Sequence, residues 1–285
     1  MSYGRHQSFY LKNHWINKGL KALKLEENWQ VLIDKHGYKD LGIGKNMQQS
    51  LRYWLEATKI IELSDDKKSH KLTHFGEQVD KFDSGCTYYF TLLLIHYFLT
   101  TSVENSGEPI SHCFYWFFIE NKDHFLTKEK IKEGLLNFSS HNIADNTINK
   151  DVDCLIQSYT NKEKNHPEDK NVSLLADLGL IKRDKTFYVK SRIHINRQSA
   201  YAFYYALVLS KDDFIYTVDL VTQNIGSVFN LNRTEVIELI EILLEESFPI
   251  NLTRTNNLDT VQIKEIRSNK ELLQYIYERA IKHEN

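Results

Sequence analysis

The chain has 285 residues, of which 41% are hydrophobic and 26% charged, so it is long enough to bury a core and has the composition of soluble globular proteins, in two or three domains. Its three prolines and eleven glycines favour long helices over a turn-rich β architecture. A formal net charge of −2 excludes a generally basic nucleic-acid binder, and three widely spaced cysteines without a CxxC pair indicate neither a structural zinc site nor a disulfide framework.

The charge is unevenly distributed along the chain. Residues 1–60 contain ten Lys or Arg against five Asp or Glu, whereas residues 61–285 contain twenty-six against thirty-three. The N-terminal part is therefore the expected polyanion-facing surface. A second basic stretch runs from Lys182 to Arg197, and a solvated face is the usual interpretation of such a run.

The chain opens on a dense polar motif, GRHQSFYLK, at residues 4–12. Arg5 and Lys12 have the charge to neutralise phosphates, and His6 has the chemistry to move a proton or contact a phosphate near neutral pH. His6 is the one candidate for a catalytic side chain in this motif. The alternative is a frayed basic arm without a specific role.

The first 82 residues predict a winged-helix DNA-binding domain. A helix over Trp15 to Leu25 and a second over Asn28 to His36 precede a glycine-containing turn, LGIGKN, and a two-faced helix that reaches Lys59. A hairpin that turns at residues 65–68 follows. Three helices and a small hairpin are the plan of a winged helix-turn-helix, in which the third helix enters the major groove.

The predicted DNA contacts lie on that third helix and on the hairpin. Gln and Arg side chains can contact base edges, and a free helix N-terminus attracts a phosphate. The candidates are Gly42, Gly44, Lys45, Gln48, Gln49 and Arg52 on the helix and the turn before it, with Lys67, Lys68, His70 and Lys71 on the wing. Gly42-Ile-Gly44-Lys45 lacks the spacing of a nucleotide-binding P-loop.

Residues 83–126 predict a central aromatic helical core. The apolar run from Tyr88 to Leu99 is about a dozen residues long, too short for a membrane span of about 20, so it predicts a buried helix. His96 and His112 are expected as core or boundary residues. The N-terminus lacks the apolar run of a signal peptide. These features and three free buried thiols predict a cytoplasmic protein without a membrane segment.

The remainder repeats the helix-then-hairpin plan twice. Residues 127–198 predict a second winged-helix-like unit, interrupted by a charged loop at 161–171, and residues 199–285 predict a C-terminal unit with a helical run from Asp212 to Thr222 and a hairpin turning at residues 256–257. The predicted fold class is mainly α with small β-hairpins (α+β), with several winged-helix-like units around the aromatic core.

Spacing alone does not indicate an enzyme. The available carboxylates, at Asp65-Asp66, Asp151 with Asp153, Asp212-Asp213 and Asp219, lack a nuclease pattern. Asp151 and Asp153 are two apart on a predicted helix and so point to different sides. No pattern for a serine nucleophile or a dinucleotide is present, and neither haem nor a nucleotide is indicated.

Several blocks together resemble one known family. The start GRHQSFYLKNHWINKG, the block LGIGKNM, the RYWL that follows, and NTINKDVDCLIQSY with LLADLGLI resemble the bacterial SspB-like family of DNA phosphorothioation systems, over nearly the whole chain. The resemblance carries over the following site residues: Arg5, His6, Phe9, Lys12, Trp15, Gly42, Gly44, Lys45, Asn46, Arg52 and Tyr53. Trp15 and Trp54 are expected in the core. One departure is Gln7, where the family often has Glu.

What the resemblance implies is a DNA-binding subunit of a defence system, which nicks one strand so that sulfur can replace a backbone oxygen. A divalent cation such as Mg²⁺ would serve that nicking. Its implied partners are double-stranded DNA, a cysteine desulfurase, an ATP pyrophosphatase-like sulfur-transfer enzyme and an ATPase. If the family's Glu is a metal ligand, Gln7 impairs this chain; if that Glu only hydrogen-bonds, Gln7 can replace it.

Two other functions remain open from the sequence. One is a non-catalytic winged-helix adaptor or transcriptional regulator that binds DNA, which the lack of a clear carboxylate cluster favours. The other is a module that binds only proteins.

Overall fold

The structure is a computed structural model that describes residues 3–25, 30–65, 68–139, 142–160, 172–210, 214–255, 258–265 and 267–282. The helices are α1 Trp15–Leu25, α2 Gly37–Asp40, α3 Lys45–Ala57, α4 His74–Phe82, α5 Tyr89–Thr101, α6 His112–Tyr115, α7 Lys128–Phe138, α8 Asp145–Thr160, α9 Arg197–Leu209, α10 Val218–Val221, α11 Arg233–Glu245 and α12 Asn269–Lys282. The strands are β1 Ile61–Leu63, β2 His70–Leu72, β3 Phe125–Thr127, β4 Ile181–Asp184, β5 Phe187–Lys190, β6 Ile215–Thr217, β7 Ile250–Thr255 and β8 Leu258–Ile263. The predicted α+β class is confirmed.

The first unit follows the predicted order of helices and hairpin, with one correction. Helices α1 and α3 and the antiparallel pair β1–β2 are present. The helix predicted over Asn28 to His36 is wrong in its described part, because residues 30–36 form turns and α2 is a single turn that begins only at Gly37. A cause is visible at Asp34, whose carboxylate accepts the N–H of His36 and so favours a local turn over the helix.

Two three-stranded sheets share one topology. Strand β3, helices α7 and α8 and the hairpin β4–β5 form a sheet of order β3-β5-β4. Strand β6, helices α10 and α11 and the hairpin β7–β8 repeat it as β6-β8-β7. In each unit a threonine at the end of the first strand, Thr127 or Thr217, accepts a backbone N–H as the N-cap of the next helix. The hairpins were predicted, but the third strand of each sheet was not.

Strand β6 corrects the helical run predicted from Asp212 to Thr222. Ile215, Tyr216 and Thr217 pair with β8 instead, and helix begins only at Val218. Aromatic and β-branched side chains fit such a pleated surface better than a helix. Residues 211–213, with Asp212-Asp213, lie outside the described residues, as do Asp66, the 161–171 loop and residues 256–257.

The core is aromatic and centres on α5, which packs along α9. His96 is fully buried on α5, between the Tyr159 hydroxyl at 2.6 Å from Nδ1 and the Val228 carbonyl at 2.8 Å from Nε2. Burial lowers the pKa of His96 to about 4, so it is a neutral core residue, as predicted.

The three cysteines, Cys86, Cys113 and Cys154, are buried free thiols, as predicted. Within the described ranges, no helix is both long and apolar enough to cross a membrane.

Candidate nucleic-acid interface

The N-terminal motif is a tight, ordered loop that runs over α3 and α8. The N–H of Gln7 donates to the Gly4 carbonyl at 3.1 Å, and the N–H of Phe9 donates to the His6 carbonyl at 2.8 Å. Gly4, Gln7 and Ser8 have left-handed φ values of 72°, 49° and 66°. Consecutive non-glycine residues in this region are uncommon and persist only where surrounding contacts hold them. The motif is therefore not the frayed arm that the sequence left open.

Asp151 on α8 is the group that holds this loop. Its carboxylate accepts the Gly4 N–H at 3.1 Å and 3.2 Å and contacts Nε2 of His6. The side chains of His6 and Asp151 are only 3% and 5% exposed. On the next turn of α8, the Cys154 thiol reaches the Phe9 carbonyl at 3.6 Å. His6 is thus a buried anchor, and its predicted contact with a phosphate requires a surface position that it does not have.

The His6 ring receives two opposing influences. Burial alone would lower its pKa, but the Cys154 sulfur and the Asp151 carboxylate raise it, to about 10. Against this, the Ser8 N–H donates to Nδ1 at 3.1 Å, which needs a lone pair on that nitrogen. We take the pKa as raised, because the contact with the Asp151 carboxylate is buried, whereas Ser8 is exposed and water can reach this side of the ring.

Asp151 carried no role in the sequence analysis beyond its place on the helix. The prediction that Asp151 and Asp153 point to different sides is confirmed, since Asp153 is half exposed and pairs with Lys128 at 2.6 Å. A signal was present: Asp151 falls within the apolar stripe of α8 that Ile148, Val152 and Leu155 form. A carboxylate in a buried stripe needs a partner on another segment.

The two N-terminal motifs meet in one polar cleft. Five side chains line its volume of about 240 Å³: Arg5, Gln7, Gln49, Arg52 and Tyr53. The Arg5 guanidinium lies 5.3 Å from the centre of the Tyr53 ring, and the Tyr53 hydroxyl is 2.8 Å from the Ser111 hydroxyl. Two arginines and two amides, with no carboxylate among the lining residues, give the cleft the hydrogen-bond donors that suit an anion.

Glu56 organises the arginines from behind the cleft. Its carboxylate lies 2.8 Å from Arg5, 4.0 Å from Arg52 and 2.9 Å from Nε2 of His70. Glu104 holds the other terminal nitrogen of Arg5 at 3.1 Å. Arg5 is therefore largely neutralised within the chain, whereas Arg52, 38% exposed, keeps more of its charge for a ligand. Spacing gave no sign of Glu104, which is distant in sequence.

Gln48 is a correction to the predicted DNA-facing side of α3. It is 4% exposed, and its amide donates to the Val31 and Asp34 carbonyls at 2.8 Å and 2.9 Å. These bonds tie α3 to the turns at 30–36. Its neighbour Gln49 is the amide that lines the cleft.

Because the two glutamines are adjacent but differ in environment, they make a matched pair. We expect Gln48→Ala to lower the free energy of unfolding by about 1 to 3 kcal/mol, since it orphans two carbonyls, and Gln49→Ala to change it by about 0.5 kcal/mol or less. Urea unfolding followed by circular dichroism measures both. Equal stability of the two variants would contradict the assignment.

The N-terminus of α3 is exposed. Gly42, Gly44, Lys45 and Asn46 are all exposed, and Gly44 is the N-cap without a side chain to satisfy the first N–H groups. Gly42 has a φ of 60°, which glycine adopts without strain. This end of the helix has the geometry that the sequence predicted for a phosphate.

Beside it, a groove of about 560 Å³ separates the start of α1 from the turn before α3. Four of its lining side chains are basic or histidine, namely Lys12, His14, Lys18 and Lys21, and one is acidic, Asp40. Lys12 also lies over the Phe9 and Trp15 rings, and partial burial lowers its pKa. The ammonium of Lys18 donates to the Leu41 carbonyl at 2.8 Å.

The hairpin carries less free charge than predicted. Lys71 lies 3.5 Å and 3.6 Å from Glu62 and Asp65, and His70, predicted to approach DNA, is 1% exposed and bound to Glu56. Lys68 is exposed, and Lys67 lies outside the described residues. The winged-helix interpretation and the proposed domain boundaries stay predictions.

A divalent cation does not fit these residues. Within the described part of the chain, no three His, Cys, Asp or Glu side chains come together as metal ligands. Glu56 is engaged by Arg5 and His70, and Asp151 by His6 and the Gly4 N–H.

A family model described as "Protein of unknown function (DUF4007)" matches residues 3–277. The chain belongs to this family. None of the curated proteins matches it. The DUF4007 match includes both motifs of the cleft.

Two crystal structures resemble this DUF4007 chain in fold. One is of SspB, with a TM-score of 0.82, and the other is of magnesium ion-bound SspB, with a TM-score of 0.81. Each is 17% identical, and the alignment covers 97% of this chain and 87% of the other. The family resemblance drawn from the sequence is therefore confirmed, and these structures add that the shared fold spans nearly the whole chain.

Proposed function

We propose that the chain is a DNA-binding component of a DNA phosphorothioation system. The observation that carries the proposal is the convergence of Arg5 and Arg52, from two separate motifs of the SspB-like family, in one cleft without a lining carboxylate. The fold similarity to SspB supports it. The expected partners remain double-stranded DNA, a cysteine desulfurase, an ATP pyrophosphatase-like enzyme and an ATPase, in a cytoplasmic setting.

The proposed contact is to the sugar–phosphate backbone. A backbone phosphate in the cleft would receive the Arg52 guanidinium and the amides of Gln7 and Gln49. The adjacent N-terminus of α3 and the groove with Lys12 would hold neighbouring phosphates. Helix N-termini and basic side chains position DNA without reading its sequence. His6 and Gln48 take no part in this contact, since both side chains are buried and bonded within the protein.

Strand nicking is the further step that the family resemblance implies. The test is a supercoiled plasmid incubated with the pure protein and Mg²⁺, compared with the Gln7→Glu variant, which restores the acid frequent in the family. If the family's Glu is a metal ligand, Gln7→Glu should form open circles faster than the natural chain, because the substitution adds the carboxylate that a divalent cation needs. If neither protein produces open circles with any divalent metal, the nicking step is wrong.

The second candidate is a DNA-binding adaptor without catalysis. Arg5 binds Glu56 and His6 binds Asp151 within the chain. This favours the adaptor, because neither carboxylate is free to bind a metal. An adaptor would bind DNA through the same cleft and would nick in neither form.

A further inference from the structure

A second cationic cavity lies where the end of β5 meets residues 118–124 and 227–232. Its volume is about 190 Å³. It is lined by Phe118, Asn121, Lys122, His124, Lys190, Arg192, Ser227, Asn230, Leu231 and Asn232. Three of these side chains are Lys or Arg, one is His and three are Asn, and none is acidic. The cavity shares no lining residue with the arginine cleft.

Lys190, at the end of β5, is the buried cation of this cavity. It is 8% exposed, and its ammonium donates to the Asn121 carbonyl at 2.6 Å and lies 5.1 Å from the centre of the Phe117 ring. Within the described residues it has no carboxylate partner in an ion pair. An ammonium has three donors, so Lys190 keeps two beyond the Asn121 bond. The exposed Asp123 carboxylate favours the charged form of Lys190 from a distance. A buried cation without a carboxylate in direct contact is costly unless an anion joins it.

The rim of the cavity is held in place by other contacts. The Arg192 guanidinium pairs with Glu235 on α11 at 2.9 Å, and the Lys122 ammonium donates to the Ile119 carbonyl at 2.7 Å. The Asn230 amide donates to the Ser191 carbonyl at 2.7 Å. The cations are thus positioned before any ligand arrives, which lowers the entropic cost of binding one.

We propose that this cavity binds a phosphate group, with Lys190 as its principal charged ligand and Arg192 and Lys122 at the rim. A tetrahedral dianion suits several cations and amide donors that converge on one small space. The inference does not rest on the proposed DNA contact, because the two sites are lined by different residues. The phosphate group has two sources, a free or nucleotide phosphate and the DNA backbone, which the experiment separates.

Burial and the Lys122 charge lower the pKa of Lys190 to about 7, against the opposing influence of the Asp123 carboxylate. An anion in the cavity favours the charged ammonium and so raises that pKa again. At pH 8, binding should therefore take up a proton from solvent. This uptake is a readout that a bystander lysine would not produce.

The experiment is calorimetric titration of the full chain with inorganic phosphate at pH 8, and with sulfate in two buffers of different ionisation enthalpy. We expect Lys190→Met to weaken phosphate binding by about ten-fold or more and to abolish the proton uptake seen with sulfate. The control is Lys182→Met, because Lys182 is an exposed lysine of the same hairpin outside the cavity. The phosphate affinity of this variant should equal that of the natural chain. Lys190→Gln serves as a second variant, and thermal unfolding checks that each variant is folded.

Two results would overturn the proposal. One is no binding of phosphate by the natural chain at millimolar concentration. The other is equal binding by the natural chain and by folded Lys190→Met. A parallel titration with a short duplex separates the sources: a loss of duplex affinity in Lys190→Met supports the DNA backbone, and an unchanged duplex affinity with weakened phosphate binding supports a free or nucleotide phosphate.

Discussion

Asp151→Ala is expected to lower the free energy of unfolding by about 3 to 5 kcal/mol, the range for removing one partner of a buried charged pair. The substitution leaves the buried His6 ring and the Gly4 N–H without their acceptor. The matched control is Asp153→Ala on the same helix. Because Asp153 is half exposed and pairs with Lys128 on the surface, its loss should cost about 1 kcal/mol or less.

Denaturant unfolding of the three proteins measures this difference, provided that the slopes of the transitions agree. If Asp151→Ala is as stable as Asp153→Ala, the assignment of Asp151 as the buried anchor of the N-terminal loop is wrong.

The buried pair of His6 and Asp151 should also make the stability of the protein depend on pH. The pKa of His6 is raised to about 10 in the folded chain, above its usual unfolded value of about 6.5, so between these values the folded chain binds more protons and stability falls as pH rises. The stability that the pair contributes is fully present below pH 6.5 and is lost as pH approaches 10. The difference in free energy of unfolding between the natural chain and Asp151→Ala should therefore decrease as the pH rises from about 6.5 to about 10. A gap that does not change with pH would mean that the His6 ring stays neutral.

The second large effect concerns DNA. We expect Arg52→Gln to weaken binding of a duplex by about ten-fold, the loss of one charge-assisted contact to a phosphate. Its fold should survive, because the nearest carboxylate oxygen of Glu56 is 4.0 Å away. The control is Arg254→Gln, because Arg254 is an exposed arginine of the C-terminal unit that pairs with Glu241.

Fluorescence anisotropy of a labelled duplex at low salt compares these variants. Loss of affinity in both variants alike would indicate a general effect of net charge, and loss in neither would remove Arg52 from the interface.

Local sequence signals predicted much of the fold. Asn232 is the N-cap of α11 and forms a capping box with Glu235, a pairing whose three-residue spacing is visible in the sequence. The apolar run from Tyr88 predicted the buried helix α5. Strands β3 and β6 were missed because each has three residues and pairs with a strand far along the chain, a contact that no local pattern reveals.

The cleft was predicted in part. The sequence predicted Arg5 as a phosphate contact and Arg52 as a contact to base edges, and the structure adds that both line one cleft. It misplaced Gln48, because a helical pattern tells which side chains share a face but not how wide the buried face is. The turns at 30–36 cover the face that Gln48 occupies, and their position depends on the tertiary fold. Asp151 was dismissed because its partners lie nearly 150 residues away.

The most direct test of the account is the salt dependence of duplex binding by the natural chain and by Arg52→Gln, measured between 50 and 200 mM salt. Binding through backbone phosphates predicts a steep fall in affinity for the natural chain and a slope of log K against log salt that is smaller by about one for Arg52→Gln. A flat dependence for the natural chain, or the same slope for both proteins, would contradict the proposal that the arginine cleft holds a DNA phosphate.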